Sequence, residues 1–400
     1  MHFEKSYLPY GLAWSSPFVR WQGSIAHLHS MRFAAQVAQK AFESRGFEPA
    51  KLEALHLGMT VPQKSSFYGA PWMAALLGAP GITGPQLNQA CATSARVLVS
   101  AALEVESGGA RTVLALAADR CSNGPHLYYP NPQGMGGTGE HEDWVVDNFQ
   151  RDPHALNAMI ETAENVAREA GIDRAAQEEL TLIRVAQYQE ALANERAFQK
   201  RYMVGPLPIF DASGRKQLAT LEGDEGLHPT TKEGLAKLKP VMPNGTVTFG
   251  CQTHPADGNA GALVCDRERA QELAKDPKVS VRLVSGGSAR AKKGFMAMAV
   301  VPAAQAALKH AGIGIRDVAA IKTHNPFAVN DVYFARELGL DFDKFNRFGS
   351  PLIYGHPQGP TGLRATIELV EELVMKGGGY GLFAGCAAGD TAMALVVRVG

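Results

Sequence analysis

The sequence predicts an α/β protein built from a duplicated strand–helix unit, with a lobe inserted between the two copies. Short, continuous apolar runs of the kind that form buried strands alternate with longer helical stretches, which is typical of sheets covered by helices. Two segments from the first part of the chain also reappear, in the same order, in the last part. Such an internal repeat indicates the duplication of one structural unit.

The first repeated segment joins the end of a helix to a strand. Residues 41–55 match residues 307–321, with Gly46 and Gly312 at equivalent places. Glycine commonly follows the last turn of a helix because it adopts the left-handed backbone without strain. Each copy is therefore predicted to end a helix at its glycine and to continue into a buried strand.

The second repeated segment contains a helix, a glycine-rich stop and a strand of small residues. Residues 93–114 match residues 361–382, and the helix of the first copy is predicted at Ala95 to Glu106. The predicted strands are short apolar runs, as expected for parallel or mixed sheets covered on both faces. They are Val113 to Ala118, Ala319 to Thr323, Leu382 to Gly385 and Ala392 to Val397.

Residues 123–245 lie between the copies and have a different character. Two helical stretches are predicted there, Ala155 to Ala170 and Ala175 to Tyr202, and charged residues are spread around the second. This inserted loop lobe is either a surface decoration or a cover over the substrate. Four large side chains in it either line a pocket or form the lobe's own core: Tyr128, Tyr129, Met135 and Trp144.

Length and charge limit the classes of protein to which the chain can belong. Its 400 residues exceed one small domain, and we divide them into an N-terminal half, residues 1–265 with the lobe, and a C-terminal half, residues 270–400. The 39 basic and 39 acidic residues balance, which argues against a nucleic acid or a membrane as partner.

The sequence shows no secretory signal and no apolar run of the roughly 20 residues that a membrane span needs, so a cytoplasmic location is expected.

Neither the cysteine spacing nor a glycine-rich motif predicts a bound metal or dinucleotide. The five cysteines include no CxxC pair, so a disulfide framework and a zinc knuckle are both disfavoured, and no metal is expected. Residues 134–139 spell GxGxxG, but no buried strand precedes them and no apolar helix follows. A dinucleotide-binding loop needs both neighbours, so a plain loop is predicted.

Cys91 is the candidate nucleophile. It follows a turn rich in glycine and proline and opens the predicted helix of the first copy. The free N–H groups and the positive dipole end of a helix N-terminus stabilise a thiolate, so a lowered pKa is predicted for this thiol. The alternative is that Cys91 is only a small residue at a tight strand–helix junction.

Three further reactive side chains are predicted to meet Cys91. His356 precedes the equivalent helix of the second copy, so duplication places it across a pseudo-twofold axis from Cys91. Cys386 and His324 each end a predicted strand of the second copy. Because strand ends of one sheet share an edge, the four groups are expected to converge on one crevice, where a cysteine and a histidine form an activated pair.

With these motifs, the chain resembles the thiolase family over nearly its whole length. The run Asn88–Ser94 is similar to the family's nucleophile motif, Gly355–Gly362 is similar to its GHPxGxSG motif, and Cys386 matches its second cysteine. The resemblance implies a five-layer αβαβα fold in a homodimer or homotetramer. It also implies acyl transfer between acyl-CoA substrates, with coenzyme A as a substrate and no permanently bound cofactor.

The resemblance also implies a role for each candidate residue. Cys91 would be acylated, His356 would take its proton, and Cys386 would exchange the α-proton of the second acyl-CoA. The backbone N–H groups of Cys91 and Ala388 would hold the thioester oxygen. Thr253 falls where the family often has a serine that contacts coenzyme A.

The chain departs from the common family pattern at one motif. His324-Asn325-Pro326-Phe327 stands where Asn-Glu-Ala-Phe is common, which puts His324 at an oxyanion-hole position. This histidine resembles the sterol-carrier-type branch, although that branch usually lacks the second cysteine, which this chain keeps. The chain therefore resembles an outlying thiolase. Some outlying members act on bulky or aromatic 3-ketoacyl-CoA and need a small accessory subunit.

Two other functions remain open from the sequence. A ketoacyl-synthase-type condensing enzyme would load Cys91 and then decarboxylate a malonyl donor, and His324 is compatible with it. Retention of Cys386 favours the thiolase, because decarboxylation creates the carbanion without a base. A binding subunit that has lost its activity is disfavoured because Cys91, His356 and Cys386 are all present.

Overall fold

The structure of the protein, a computed structural model, describes residues 1–400 and contains two main sheets and two hairpins. Its strands are β1 (Ala13–Ser15), β2 (Val19–Arg20), β3 (Ala54–Gly58), β4 (Gln86–Leu87), β5 (Thr112–Arg120), β6 (His126–Tyr129), β7 (Glu140–Asp143), β8 (Leu207–Phe210), β9 (Gln217–Leu221), β10 (Ala256–Cys265), β11 (Val281–Arg290), β12 (Val318–His324), β13 (Gly379–Ala387) and β14 (Thr391–Val399).

The two main sheets repeat one pattern of strand pairing. The first has the order β1-β10-β5-β3-β4, with β2 also paired to β10, and the second has the order β11-β14-β13-β12. In each, a parallel pair, β3 with β5 or β12 with β13, is followed by an antiparallel neighbour, β10 or β14. Each sheet then ends on another antiparallel strand, β1 or β11. This shared order confirms the predicted duplication.

Helices cover both faces of each sheet. They are α1 (Ser30–Arg45), α2 (Gly69–Leu76), α3 (Thr93–Ser107), α4 (Val146–Gln150), α5 (Met159–Glu169), α6 (Arg174–Arg196), α7 (Lys232–Lys237), α8 (Arg267–Leu273), α9 (Val300–Ala311), α10 (Ala328–Leu338), α11 (Pro351–Tyr354) and α12 (Thr361–Met375). No helix is both long and apolar enough to cross a lipid bilayer.

The packing of these helices produces five layers. Helices α3 and α12 contact each other and lie between the two sheets, where their apolar faces share one core. Helices α1 and α2 cover the outer face of the first sheet, and α9 and α10 cover that of the second. The αβαβα architecture is confirmed. Its central helix layer is the pair whose N-termini carry the candidate motifs.

The local signals of the repeat are confirmed in detail. Gly46 and Gly312 end α1 and α9 with left-handed φ angles of 62° and 72°, and each chain segment then enters a strand, β3 or β12. The helix predicted at Ala95 to Glu106 is α3, which starts two residues earlier. The four predicted strands are β5, β12, β13 and β14, and each is one or more residues longer at both ends than predicted.

The inserted lobe contains the two hairpins, β6–β7 and β8–β9, and helices α4 to α7. The helix predicted from Ala155 starts only at Met159, because the Asp152 carboxylate accepts the N–H groups of His154 and Ala155 and holds a turn there. Helix α6 ends at Arg196 rather than Tyr202, after a break in its helical backbone. The GxGxxG run lies at the tip of the β6–β7 hairpin, as a loop.

Candidate active site

Cys91 lies in a tight turn between β4 and α3. The residue before it, Ala90, has a φ of 44°, in the left-handed region that non-glycine residues rarely adopt. Side chains on both sides hold this turn, because Asn88 Oδ1 accepts the Ala90 N–H at 2.9 Å and the Thr93 hydroxyl donates to the Ala90 carbonyl at 2.6 Å. Such strain is common where a reactive group must be presented to a ligand.

The starts of α3 and α12 meet, as the repeat predicts. Ser94 Oγ accepts the Leu363 N–H at 2.8 Å, and the Ser94 N–H donates to the Gly359 carbonyl at 3.3 Å. These bonds cross from one half of the chain to the other. They place the turn that carries Cys91 against the loop that carries His356.

Cys91, His324 and His356 form a cluster at this junction. Their potential ligand atoms, the Cys91 Sγ and one nitrogen of each imidazole, lie within 4.8 Å of one another. The two imidazole rings pack with their centroids 4.2 Å apart. His324 comes from the end of β12, and His356 from the loop between α11 and α12. Three of the four predicted reactive groups are therefore in mutual reach.

Hydrogen bonds on the far sides of both rings fix their orientation. His324 Nδ1 donates to the Cys386 carbonyl at 3.1 Å, since a carbonyl oxygen can only accept. His356 Nδ1 lies 2.7 Å from the Thr361 hydroxyl. The Nε2 atoms of both rings are buried and have no hydrogen-bond partner in the protein. Thr361 was not among the predicted residues, although it lies inside the Gly355–Gly362 motif.

The pKa values of this cluster favour neutral groups. Burial lowers the pKa of His324 to about 4, and burial together with the neighbouring His324 lowers the pKa of His356 well below 6.5. Burial also raises the pKa of the Cys91 thiol to about 11, even though the N–H groups of Ala388 and Cys91 donate to its sulfur. The predicted lowering of the Cys91 pKa is therefore wrong, because desolvation outweighs the helix N-terminus.

Cys386 lies one residue before the end of β13 and is fully buried. Asn330 Nδ2 donates to its Sγ at 3.2 Å. Burial raises the pKa of the Cys386 thiol well above its usual value, and the nearby Cys91 adds to this effect. The contact with Asn330 had not been predicted. Its only signal was the position of Asn330 near the start of the helix that follows the His324 strand.

Ala388 and Thr253 both line the cavity that contains Cys91. Hydrogen bonding from the backbone of Ala388 and of Cys91 itself partly offsets the burial that raises the pKa of the Cys91 thiol. Thr253 lines the same cavity as Cys91, and its hydroxyl donates to the Pro351 carbonyl at 2.6 Å.

Asp119 is a buried carboxylate that the sequence analysis missed. It accepts the N–H groups of Thr60, Val61 and Gly359 at 2.8, 2.9 and 3.0 Å. Burial raises its pKa to about 7, and its charge adds to the raised pKa of Cys91. The available signal was an acidic residue at the end of β5, a strand otherwise made of small and apolar residues.

A cavity of about 850 Å³ opens onto Cys91 and His356. The inserted lobe forms one wall of this cavity. The lobe is therefore a cover over the site and not only a surface decoration. The apolar lining comes from both the lobe and the core, including Trp144, Phe149, Met159, Ile160, Met296 and Phe327. Of the four large lobe residues considered as pocket lining, only Trp144 contributes. Tyr128, Tyr129 and Met135 are exposed on the β6–β7 hairpin.

Comparison with known proteins identifies the family. The model of the thiolase N-terminal domain matches residues 13–268, and that of the thiolase C-terminal domain matches residues 277–399. The chain belongs to the thiolase family. This thiolase is 32% identical to the beta-ketothiolase BktB of Cupriavidus necator over 81% of its own length and 82% of that protein's.

Solved thiolase structures match the whole chain. The acetyl-CoA acetyltransferase of Bacillus anthracis superposes with a TM-score of 0.89 at 27% identity, covering 100% of both chains. Human mitochondrial 3-ketoacyl-CoA thiolase in complex with CoA superposes with a TM-score of 0.88 at 24% identity, covering 99% of this chain and 98% of that one. At 24% identity, the similarity to the human enzyme shows a shared fold only.

Proposed function

We propose that this thiolase transfers acyl groups to and from coenzyme A through an acyl-enzyme on Cys91. It would cleave a 3-ketoacyl-CoA, or condense two acyl-CoA molecules in reverse. The observation that carries the proposal is the convergence of the Cys91 sulfur with the two imidazoles, at the cavity wall that contains Cys91 and His356. The similarity to an acetyl-CoA acetyltransferase at 27% identity supports coenzyme A thioesters as substrates.

In the cleavage direction, the first half of the reaction forms the acyl-enzyme. The Cys91 thiol gives its proton to His356 Nε2 as its sulfur attacks the 3-keto carbon. The bond between C2 and C3 then breaks, which leaves an acyl group on Cys91 and an enolate of acetyl-CoA. Cys386 protonates the enolate carbon. His324 Nε2 accepts a hydrogen bond from a water, and the other O–H of that water donates to the enolate oxygen. Because thiol and imidazole both start neutral, proton transfer accompanies the attack.

The second half of the reaction restores the free enzyme. The thiol of an incoming coenzyme A gives its proton to the Cys386 thiolate and attacks the acyl-Cys91 thioester. Cys91 leaves as a thiolate and takes back the proton from His356. The N–H groups of Cys91 and Ala388 stabilise the oxyanion of the tetrahedral intermediate, and Thr253 contacts the pantetheine arm.

We further propose an acyl group larger than acetyl. The support is the cavity wall, where Trp144, Phe149 and Met159 of the lobe face Met296 and Phe327 of the core. Large apolar side chains favour an apolar ligand because binding removes apolar surface from water. His324 in place of the common asparagine also supports the hypothesis of an outlying branch whose substrate is not acetoacetyl-CoA.

One observation favours the second candidate, a decarboxylating condensing enzyme. Two histidines face Cys91 rather than one histidine and an asparagine, and ketoacyl-synthase-type enzymes typically present such a set. The buried Cys386 beside the cluster favours the thiolase, because decarboxylation would leave this thiol without a role. Membership of the thiolase family supports the same choice.

A thiolysis screen tests the proposal. The purified protein is mixed with free coenzyme A and 3-ketoacyl-CoA esters of short, branched and aromatic chains, and the loss of substrate is followed by absorbance. Turnover that is faster for the larger chains is expected. Decarboxylation of malonyl-CoA without thiolysis would support the condensing enzyme. Failure of Cys91 to acquire an acyl label from any ester would support a binding subunit.

We also propose that the protein is at least a homodimer. Phe67 and Tyr68 are adjacent, 94% and 67% exposed, and precede α2 beside the open edge strand β4. Burial of such side chains and pairing of such an edge both favour self-association. Light scattering that gives the 42.7 kDa of one chain at micromolar concentration would contradict this proposal.

A further inference from the structure

The active-site cluster leaves two buried imidazole nitrogens without a partner in the protein. His324 and His356 are only 1% and 7% exposed, yet the Nε2 atom of each ring has no hydrogen-bond partner in the protein. One nitrogen of each ring and the Cys91 sulfur form a set of ligand atoms no more than 4.8 Å apart. Because Nδ1 of each ring already has an oxygen partner, Nε2 is the nitrogen left to bind a ligand. Two imidazole nitrogens and one thiol are thus available within a small volume.

We propose that Cys91, His324 and His356 bind a soft divalent cation such as Zn²⁺ or Cd²⁺, which blocks the nucleophile reversibly. One sulfur and two imidazole nitrogens are a ligand set that these cations prefer, with the fourth tetrahedral position left to water. The cation is an inhibitor and not a cofactor, because it occupies the sulfur lone pair that attacks the substrate.

The geometry needs only a modest adjustment to hold a cation. Tetrahedral ligands at Zn–S and Zn–N distances of about 2.3 and 2.1 Å lie about 3.5 Å from one another. The ligand atoms here are separated by up to 4.8 Å, so closure requires shifts of roughly an ångström, which side-chain rotations can supply. Cys91 is partly exposed to the cavity, so its side chain has room to make most of this shift.

Partners outside the cluster already orient the ligands. A metal-bound histidine commonly donates its other N–H to an oxygen, which fixes the tautomer and leaves the metal-binding nitrogen free. His324 Nδ1 donates to the Cys386 carbonyl at 3.1 Å, and His356 Nδ1 has the Thr361 hydroxyl at 2.7 Å.

Binding is a simple exchange of a proton for a cation. The S–H bond of Cys91 breaks, its proton goes to solvent, and a sulfur–metal bond forms, with no change of oxidation state. Coordination deprotonates the thiol although its own pKa is raised to about 11, because the cation supplies a far larger local charge than any neighbour. Binding itself is independent of the proposed function, whereas the block of acyl transfer rests on it.

The test is a titration of the substrate-free protein with Cd²⁺, followed by calorimetry and by the near-ultraviolet thiolate-to-cadmium absorption band. One equivalent is expected to bind with the band present. Cys91→Ser is expected to remove the band, and His324→Asn to weaken binding roughly 100-fold or more. Thr361→Val, which removes only the oxygen behind His356, should weaken binding by about 10- to 100-fold.

His154→Gln is the matched control, because His154 lines the same cavity outside the cluster and is exposed. Its affinity for Cd²⁺ should equal that of the wild type. Absence of binding, or a band that survives in Cys91→Ser, would overturn the proposal. A full Cd²⁺ site in a protein inactive toward every ester would overturn the proposed function and the block of acyl transfer, and would leave the cation site itself intact.

Discussion

The backbone N–H of Gly359 donates to the Asp119 carboxylate at 3.0 Å, and this bond joins the two halves of the chain directly beneath the active site. Asp119 ends β5 of the first sheet, whereas Gly359 belongs to the loop that carries His356 three residues earlier. The same carboxylate accepts the N–H groups of Thr60 and Val61. It therefore fixes the histidine loop to the cavity wall.

Asp119→Asn is expected to lower both stability and turnover. An amide has one acceptor oxygen instead of two, so it leaves a buried N–H unpaired, at a cost of about 1–3 kcal/mol. Displacement of the Gly359 loop should reduce kcat more than it raises KM. Glu164→Gln is the matched control, because Glu164 is also buried and accepts the N–H groups of Thr246 and Val247 at 2.8 Å, away from the histidine loop. Equal kcat losses in the two variants would contradict this role.

Asn330 is expected to act as a positioning residue for Cys386. Its Nδ2 donates to the sulfur at 3.2 Å, and a hydrogen bond to a charged group contributes about 1.5–3 kcal/mol. Asn330→Leu should therefore raise the pKa of Cys386 further and slow carbon–carbon cleavage about 10- to 100-fold. Acyl loading of Cys91 should stay unchanged, and Asn330→Gln should recover part of the cleavage rate. A loss of loading in step with cleavage would indicate general disruption of the site.

The sequence predicted the scaffold well because its signals are local. The glycines at 46 and 312 mark helix ends through a backbone conformation that favours glycine, and the apolar runs mark strands through burial on both faces. The helix bounds in the lobe were predicted less well. There, side chains compete with the helix, as when Asp152 takes the N–H groups of His154 and Ala155.

The candidate site was predictable only where a motif named the residue. Cys91, His324, His356 and Cys386 all stand in recognisable runs, and the repeat brought two of them together. The contacts of Asp119 and Asn330 depend on long-range packing that no local pattern encodes. The direction of the Cys91 pKa shift failed for the same reason, since desolvation is set by the whole fold, whereas the helix N-terminus is visible in the sequence.

Cys386→Ala is expected to separate the two halves of the reaction. Enolate chemistry needs a proton donor and acceptor at the α-carbon, whereas acylation of Cys91 from a simple acyl-CoA does not. The variant should therefore lose carbon–carbon cleavage and condensation while Cys91 still acquires an acyl label. Acid quench and peptide mass mapping measure that label. Cleavage near the wild-type rate would show that another group, such as Asp390, supplies the proton.

His324→Ala is expected to lose roughly 10²–10³ in turnover, because it removes the imidazole that holds the water donating to the developing enolate oxygen. Because His324 acts on the enolate, its loss should reduce kcat with little change in KM. Steady-state thiolysis kinetics measure both constants. A raised KM at unchanged kcat would show that the imidazole only helps to bind the substrate.

The buried histidines should also make folding stability depend on pH, with a defined sign. Burial holds the pKa of His324 at about 4, against an ordinary value of 6.5, so the unfolded chain binds this proton between those two pH values and the native state does not. Stability must then fall as the pH decreases from 6.5 to 4. At one pKa unit per 1.36 kcal/mol, the loss attributable to His324 is about 2–3 kcal/mol at pH 4.5.

His324→Asn should remove this part of the pH dependence. Urea unfolding at pH 7 and pH 4.5, at one protein concentration, gives the change in the free energy of unfolding for each variant. That change should be about 2–3 kcal/mol smaller in His324→Asn than in the wild type, and unaltered in His154→Gln, whose side chain is exposed.

Asp119 opposes this trend, because its raised pKa makes stability fall as the pH increases from 3.8 to about 7. The wild type and His324→Asn both contain Asp119, so a comparison of the two cancels its effect. Equal pH dependence of stability in these two proteins would show that His324 is protonated in the native state at pH 4.5.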